Sequence, residues 1–226
     1  MSIHLLSKKE RGRNFPPLII RASCLSQMTF VMNFRIIVLQ VFAVFYCNTA
    51  MAATTSASGA SPEISNLIAK CAPRIHPETM AALISVESGE HQYVIADAGL
   101  AKLPWGERKH SVRSLYYSNI EEAVTGATGL IQGGHTVSIG LTQVNDRNLK
   151  ALGITIRDAF NACVNVAAGG KIFIAYYTQA VQHYGAGSRA MRAALSAYNS
   201  GDWRRGEVDG YVDLVLKQRG RALSLR

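Results

Sequence analysis

Residues 85–89 read Ser85-Val86-Glu87-Ser88-Gly89 and set a glutamate at the end of an otherwise apolar helical stripe. At helical spacing Glu87 shares a face with Ile84, Leu83 and Met80, in a segment that starts after His76-Pro77 and stops at Gly89. A face of that composition packs into a core, and a carboxylate carried with it loses its hydration. Most helical glutamates are solvated surface residues, so a solvated helix end is the plain alternative. What surrounds Glu87 decides between them.

Upstream, Ser61-Pro62-Glu63 has the form of a helix start: a capping serine, proline at the first helical position and an acid in the first turn. That helix runs to about Cys71, with Ile64, Leu67, Ile68 and Cys71 on one face. Downstream, periodicity is lost over residues 89–119, where glycines, Pro104, Trp105 and charges indicate loops or short strands. Residues 119–132 are predicted helical through Ile120, Ala123, Val124, Ala127, Leu130 and Ile131, with Gly133-Gly134 as the stop. The longest helical pattern covers 161–184 and places Val164, Ala167, Ala168, Ile172, Ala175, Tyr176 and Val181 on a core face, despite Gly169-Gly170. Ser188 is predicted to cap a helix over 189–198, and 210–221 reads as a last amphipathic helix with Val212, Val215 and Leu216 inward. No period of about 20 to 50 residues repeats. The expectation is one mainly α domain over residues 61–216, followed by a basic tail, 217–226, whose Lys217, Arg219, Arg221 and Arg226 form either a docking end or a solvated helix end.

The 226 residues are 48% hydrophobic, enough for one sizeable core, but part of the length is targeting. Residues 32–52 read MNFRIIVLQVFAVFYCNTAMA: Arg35, an uncharged apolar run over 36–46, then Ala50-Met51-Ala52, the small-x-small pattern of a signal-peptidase site. The run is short for a membrane span. Residues 1–52 therefore read as an N-terminal extension with an export signal, an uncleaved anchor being the alternative, and the membrane enters only through this segment. Small polar residues 53–60 read as a linker. Residues 1–52 hold six Lys/Arg and one acid, so the formal charge of +9 becomes +4 without them. A mildly basic chain suits an anionic polymer, and no Lys/Arg stripe interleaved with aromatics points to nucleic acid. Cys24 and Cys47 lie in the extension, leaving Cys71 and Cys163 as a pair in the mature part. In an oxidising compartment two such cysteines usually bond, and in the chain-entropy model a bridge of that span contributes roughly 4 kcal/mol. Two separate buried thiols are the alternative.

The six histidines are scattered, none forms HExxH, and neither mature cysteine has a CxxC partner, so no metal and no cofactor is expected. Residues 185–190 lack the preceding strand and third glycine of a phosphate loop, and no GxSxG elbow is present. Two other stretches look over-specified for packing. Ser138-Ile139-Gly140-Leu141-Thr142-Gln143-Val144-Asn145 sets two amides near a glycine that would let backbone approach a ligand. Ala197-Tyr198-Asn199-Ser200-Gly201 ends a helix in a phenol, an amide and a hydroxyl. Each alone has a bland reading, Gln143 as a surface residue and Asn199-Ser200-Gly201 as an ordinary helix stop.

Taken in order, Glu87-Ser88, the Gly140-Leu141-Thr142-Gln143-Val144-Asn145 run, Ala197-Tyr198-Asn199-Ser200-Gly201 and Tyr211 in Gly210-Tyr211-Val212 resemble the lytic transglycosylases with a goose-type-lysozyme-like catalytic domain. The resemblance covers about residues 61–216. It implies a lysozyme-like helical fold with a substrate groove, and cleavage of the β-1,4 bond between N-acetylmuramic acid and N-acetylglucosamine of peptidoglycan, leaving 1,6-anhydro ends. Cys71 and residues 159–169 look like the subgroup that accompanies type IV secretion and conjugation machines, in which two such cysteines pair. That implies a periplasmic location and a secretion, conjugation or pilus apparatus as partner. Two features depart from the pattern: Thr142 stands where the family often has methionine, and the chain runs on past Tyr211.

Cleaving a glycosidic bond needs a proton delivered to the leaving oxygen, and ordinary hydrolases add a second carboxylate as base or nucleophile. Only one acid stands out here. Glu90, beyond Gly89, and Asp97, in the loop, lie in no motif that would set them across a sugar from Glu87. A single acid fits substrate-assisted cleavage, in which the sugar's acetamido group stabilises the developing cation. The resemblance implies that Glu87 protonates the bridging oxygen and then acts as base on the sugar's own 6-hydroxyl, for which it must rest protonated in an apolar pocket. It also implies that Ser88 sits near the reacting ring, that Gln143, Asn145 and Asn199 bind substrate, that Tyr198 and Tyr211 line the cleft and orient Glu87, and that the loop over 89–118 forms part of the groove. Competing readings are a lysozyme that uses water and a wall-binding assembly factor that no longer turns over.

Overall fold

The computed structural model describes residues 60–224, with side chains to residue 221. The predicted export signal and nearly all of the predicted linker lie outside the described residues.

Helix α1 (Pro62–Cys71) begins as its sequence predicts: the Ser61 hydroxyl accepts the Ile64 N–H at 3.3 Å, and Ile64 and Ile68 are buried. Helix α2 (Pro77–Ser88) is buried on almost every side, Met80, Leu83, Ile84 and Glu87 all being 0% exposed. Gly89, left-handed at φ 61°, ends it.

The aperiodic stretch holds strand β1 (Val94–Leu100), short helix α3 (Trp105–Arg108), a 3-10 turn and strand β2 (Arg113–Tyr116). Helix α4 (Ile120–Gln132) follows, its cap the Asn119 side chain, then β3 (His135–Ile139) and β4 (Val144–Asn145). The four strands form one antiparallel sheet in the order β2-β1-β3-β4, with Ile95 opposite Ile139 and Ala96 opposite Ser138. Alternation then divides the faces: Ile95, Val137, Ile139 and Val144 pack with Ala123 and Ala127 of α4, while Ala96 and Ala98 pack under Trp105 and Val112.

After α5 (Asp146–Leu152) and α6 (Ile156–Ala159), the long helix α7 (Ala162–Tyr184) crosses the domain. Its buried face is turned from the predicted one. Asn165, Val166, Ala168, Gly169, Gly170 and Phe173 are buried, whereas Ala175 is exposed. The two glycines, unfavourable in a helix by about 1 kcal/mol each, are where neighbours press closest. A Cβ on Gly169 would sit 2.4 Å from Thr142 Oγ1, and one on Gly170 would sit 3.2 Å from Ile75 Cδ1. Cys71 and Cys163 are bonded, tying the end of α1 to the start of α7 across 92 residues.

Helix α8 (Ser188–Ser200) starts one residue earlier than predicted: Ser188 lies inside the helix, and Gly187 occupies the capping position without a side-chain cap. Short α9 (Arg205–Val208) leads to α10 (Tyr211–Ser224), held in place by Arg192 of α8, which donates to Glu207 and to Asp213. Helix α10 continues past residue 216, and Gln218 donates to Ser85 of α2 at 3.0 Å.

Among the described residues three hydrophobic clusters result: one among α1, α2, α7, α8 and α10, one between the sheet and α4, and the small one of Ala96 and Ala98 under Trp105 and Val112. Residues 140–145 join the first two, with Leu141 in the helical cluster and Val144 in the sheet cluster. The domain is mainly helical, as the periodicity predicts.

Candidate active site

Glu87 occupies the last turn of α2 and is wholly buried. Its Oε1 accepts the Tyr211 hydroxyl at 2.6 Å, and its Oε2 is buried with no hydrogen-bond partner among the described residues. Burial without enough donors disfavours the anion, so the carboxyl is pushed up to about 8; donation from Tyr211 opposes this but does not cancel it. Burial and the nearby Glu87 charge raise the phenols of Tyr198 and Tyr211 in turn. All three groups are therefore protonated at neutral pH. Neighbouring Ser88 secures the turn: its hydroxyl donates to Ile84 O at 3.0 Å and accepts the Glu90 N–H at 3.1 Å.

Residues 140–145 are held by a side chain of α7. Asn165 accepts the Thr142 N–H at 2.8 Å and donates to the carbonyls of Ile139 at 2.9 Å and Ala159 at 2.7 Å. The Thr142 hydroxyl lies 2.8 Å from Asn165 Oδ1, and Thr142 O accepts the Tyr198 hydroxyl at 2.8 Å. Gly140, at φ +75°, is required for this clamp, because a Cβ there would meet Asn165 Nδ2 at 2.5 Å. Gln143 is not a surface residue: it is fully buried in a left-handed conformation (φ 50°) uncommon outside glycine. Its Nε2 donates to Gly140 O at 2.8 Å and its Oε1 has no partner among the described residues.

Asn145 caps α5, accepting the Arg147 N–H at 3.2 Å, and its Nδ2 lies 3.5 Å from Ser138 Oγ. Asn199, on the last turn of α8, is 5% exposed with its Nδ2 unpartnered among the described residues. Glu87 Oε2, Gln143 Oε1 and Asn199 Nδ2 thus offer an acid oxygen, an amide acceptor and an amide donor, each buried and unanswered. Leaving such a group unsatisfied costs about 1–3 kcal/mol, which a polar ligand would offset. Thr79 Oγ1, Arg108 Nε and Arg219 Nε share that state elsewhere.

The competing acids have other partners. Asp97 lies in β1, not in a loop, and binds Gly99 N, Arg113 Nε and His135 Nδ1 at 2.8, 3.0 and 2.8 Å. Glu90 accepts the Ser61 N–H at 3.4 Å. Among the described residues no group of three or more His, Cys, Asp or Glu side chains is gathered as a metal would need. Reading the sequence alone gave no role to Asn165 or to Gly169, although an asparagine in the midst of an apolar helix was a visible signal for the former.

Residues 65–214 match the transglycosylase SLT domain, a span that includes Glu87, Gln143, Tyr198 and Tyr211. The chain belongs to the transglycosylase SLT domain family. This SLT domain is 36% identical over 143 residues to the type IV secretion system protein virB1 of Brucella abortus, covering 62% of this chain and 55% of that one. It is 29% identical over 175 residues to protein virB1 of Agrobacterium fabrum, covering 73% of this chain and 64% of the relative. The chain thus spans between half and two thirds of the length of these relatives. No solved structure matches significantly.

Proposed function

We propose that this SLT domain is a peptidoglycan lytic transglycosylase, with Glu87 as its single catalytic acid and base. The observation that carries the reading is the fully buried Glu87 carboxyl, held by one phenol and with its second oxygen unpartnered among the described residues, a setting that favours its protonated form. Glu87 gives its proton to the bridging oxygen as the bond from C1 of N-acetylmuramic acid breaks, while the acetamido group of that sugar shields the developing charge. The Glu87 carboxylate then takes the proton of the same sugar's 6-hydroxyl as O6 bonds to C1. No water is consumed, the acid is restored, and the product carries a 1,6-anhydro ring. Tyr211 orients the carboxyl; Tyr198 anchors the loop that carries Gln143; Gln143, Asn145 and Asn199 bind the sugars; Ser88 stands beside the reacting ring. The loop over 89–118 contributes to the groove. The type IV secretion system name of the Brucella relative supports service to such a secretion or conjugation apparatus, and with the export signal read at residues 32–52 this puts the work on the periplasmic wall.

The test is digestion of purified peptidoglycan by the chain and by Glu87→Gln, with mass spectrometry of the fragments. Anhydro ends made only by the unsubstituted protein are expected. Reducing ends would mean hydrolysis, and intact strands with glycan still bound would mean an assembly factor.

A further inference from the structure

Arg108 ends α3 and is only 7% exposed, yet among the described residues it forms no ion pair. Its Nη1 donates to Ala98 O at 3.1 Å, its guanidinium lies 5.5 Å from the centre of the Trp105 ring, and its Nε is buried without a partner among those residues. A carbonyl and a ring face offset only part of the desolvation of a guanidinium. A second cation stands nearby. Asp97 pairs with Val137 across the sheet; Val137 N and Thr136 Oγ1 both donate to Asp146, at 2.9 and 2.7 Å; and Arg147 comes next, its side chain exposed. Burial, then the charge of Arg147, weakens the hold of Arg108 on its proton. Asp146 is engaged by Thr136 and Val137, and Asp97 by Gly99, Arg113 and His135. The buried fork of donors of Arg108, the exposed second guanidinium of Arg147 and the indole beneath Arg108 make a receptor for a carboxylate.

Its place suits the glycan. Ala96 pairs with Ser138 and Ser138 with Asn145, so Ala96, Ala98, Ser138 and Asn145 share the sheet face on which Trp105 packs. Asn145, proposed above to bind the sugars, is on that face and is followed in the chain by Asp146, which accepts from Thr136 and Val137, and by Arg147.

We propose that Arg108 and Arg147 form a subsite for a carboxylate on the muramyl substituent of the strand. It rests on the peptidoglycan reading above. That carboxylate belongs either to the peptide stem or, where the stem has been removed, to the lactyl group itself.

The full chain carrying Glu87→Gln, alone and with Arg147→Gln or Arg108→Lys, is tested for binding to soluble peptidoglycan strands and to the same strands with carboxylates amidated by carbodiimide. Each arginine substitution should weaken binding of native strands about tenfold, the effect of one lost charge-assisted contact, and leave binding of amidated strands unchanged. Strands stripped by an amidase, whose carboxylates are lactyl alone, assign the source: a retained effect indicates the lactyl group, a lost effect the stem. Equal weakening on native and amidated strands, unaltered binding to native strands, or no binding by any form overturns the subsite. Because this readout is binding, it can stand while the wild type makes no anhydro ends, or fail while it does.

Discussion

Glu87 at the end of α2 and Asp97 in β1 are both carboxyls with almost no exposure, 0% and 1%, and they end in opposite charge states. Asp97 is contacted by a backbone N–H, a guanidinium and an imidazole, and although burial works against its charge, these partners hold it below the usual carboxylate range. Glu87 has one phenol and is driven up to about 8. Burial alone does not set the charge of an acid; the number of donors that come with it does. The sheet buries a structural anion, the helical cluster a proton donor.

The largest break in that contrast is Glu87→Gln, expected to lower cleavage roughly a thousandfold, as loss of a general acid does, measured by release of soluble fragments. The same variant should be more stable than the parent at neutral pH. The unfolded carboxyl ionises near 4.5 while the folded one stays protonated to about 8, so the parent loses stability as pH rises through that window, on the order of 3 kcal/mol by pH 7. Urea melts at pH 4 and pH 8 check this; an equal gap at both would show that Glu87 is ionised in the fold.

Next in size, Asp97→Asn should destabilise by about 2 kcal/mol above pH 5 while leaving cleavage per folded molecule intact. Its sign with pH is opposite. The Asp97 contribution is present above the unfolded value and disappears as pH falls through the lowered folded one, so the gap between parent and variant should close on acidification. Tyr211→Phe is milder, about tenfold in turnover; it removes the donor that favours the Glu87 anion, so the alkaline limb of the pH–rate profile should move upward from about 8. The smallest change is Glu90→Gln, for which turnover within about twofold of the parent is expected, because Glu90 has its contact with Ser61 rather than with Glu87.

Much of this was legible in the sequence, because it is local. Periodicity of 3.6 set Glu87 on the same face as Met80, Leu83 and Ile84, Ser61-Pro62 marked the first helix, and Gly89 and Gly201 marked two helix ends. Where periodicity is broken, or a helix is buried over most of its surface, the sequence leaves the facing open: α7 was rotated because Gly169 and Gly170 carry no hydrophobic signal yet allow the closest approach. The charge of Glu87 is tertiary in origin. It depends on Tyr211, 124 residues away, and on walls drawn from several helices. So is the conformation of Gln143, fixed by Asn165 of α7 through Thr142 and the bare Gly140. The sequence by itself determined which residue types stand at the helix ends and motif positions, since spacing along a chain specifies faces. Only the tertiary structure decided which acid is neutral and which amide atoms are left unanswered, since desolvation and donor count arise from segments that meet only when the chain is folded.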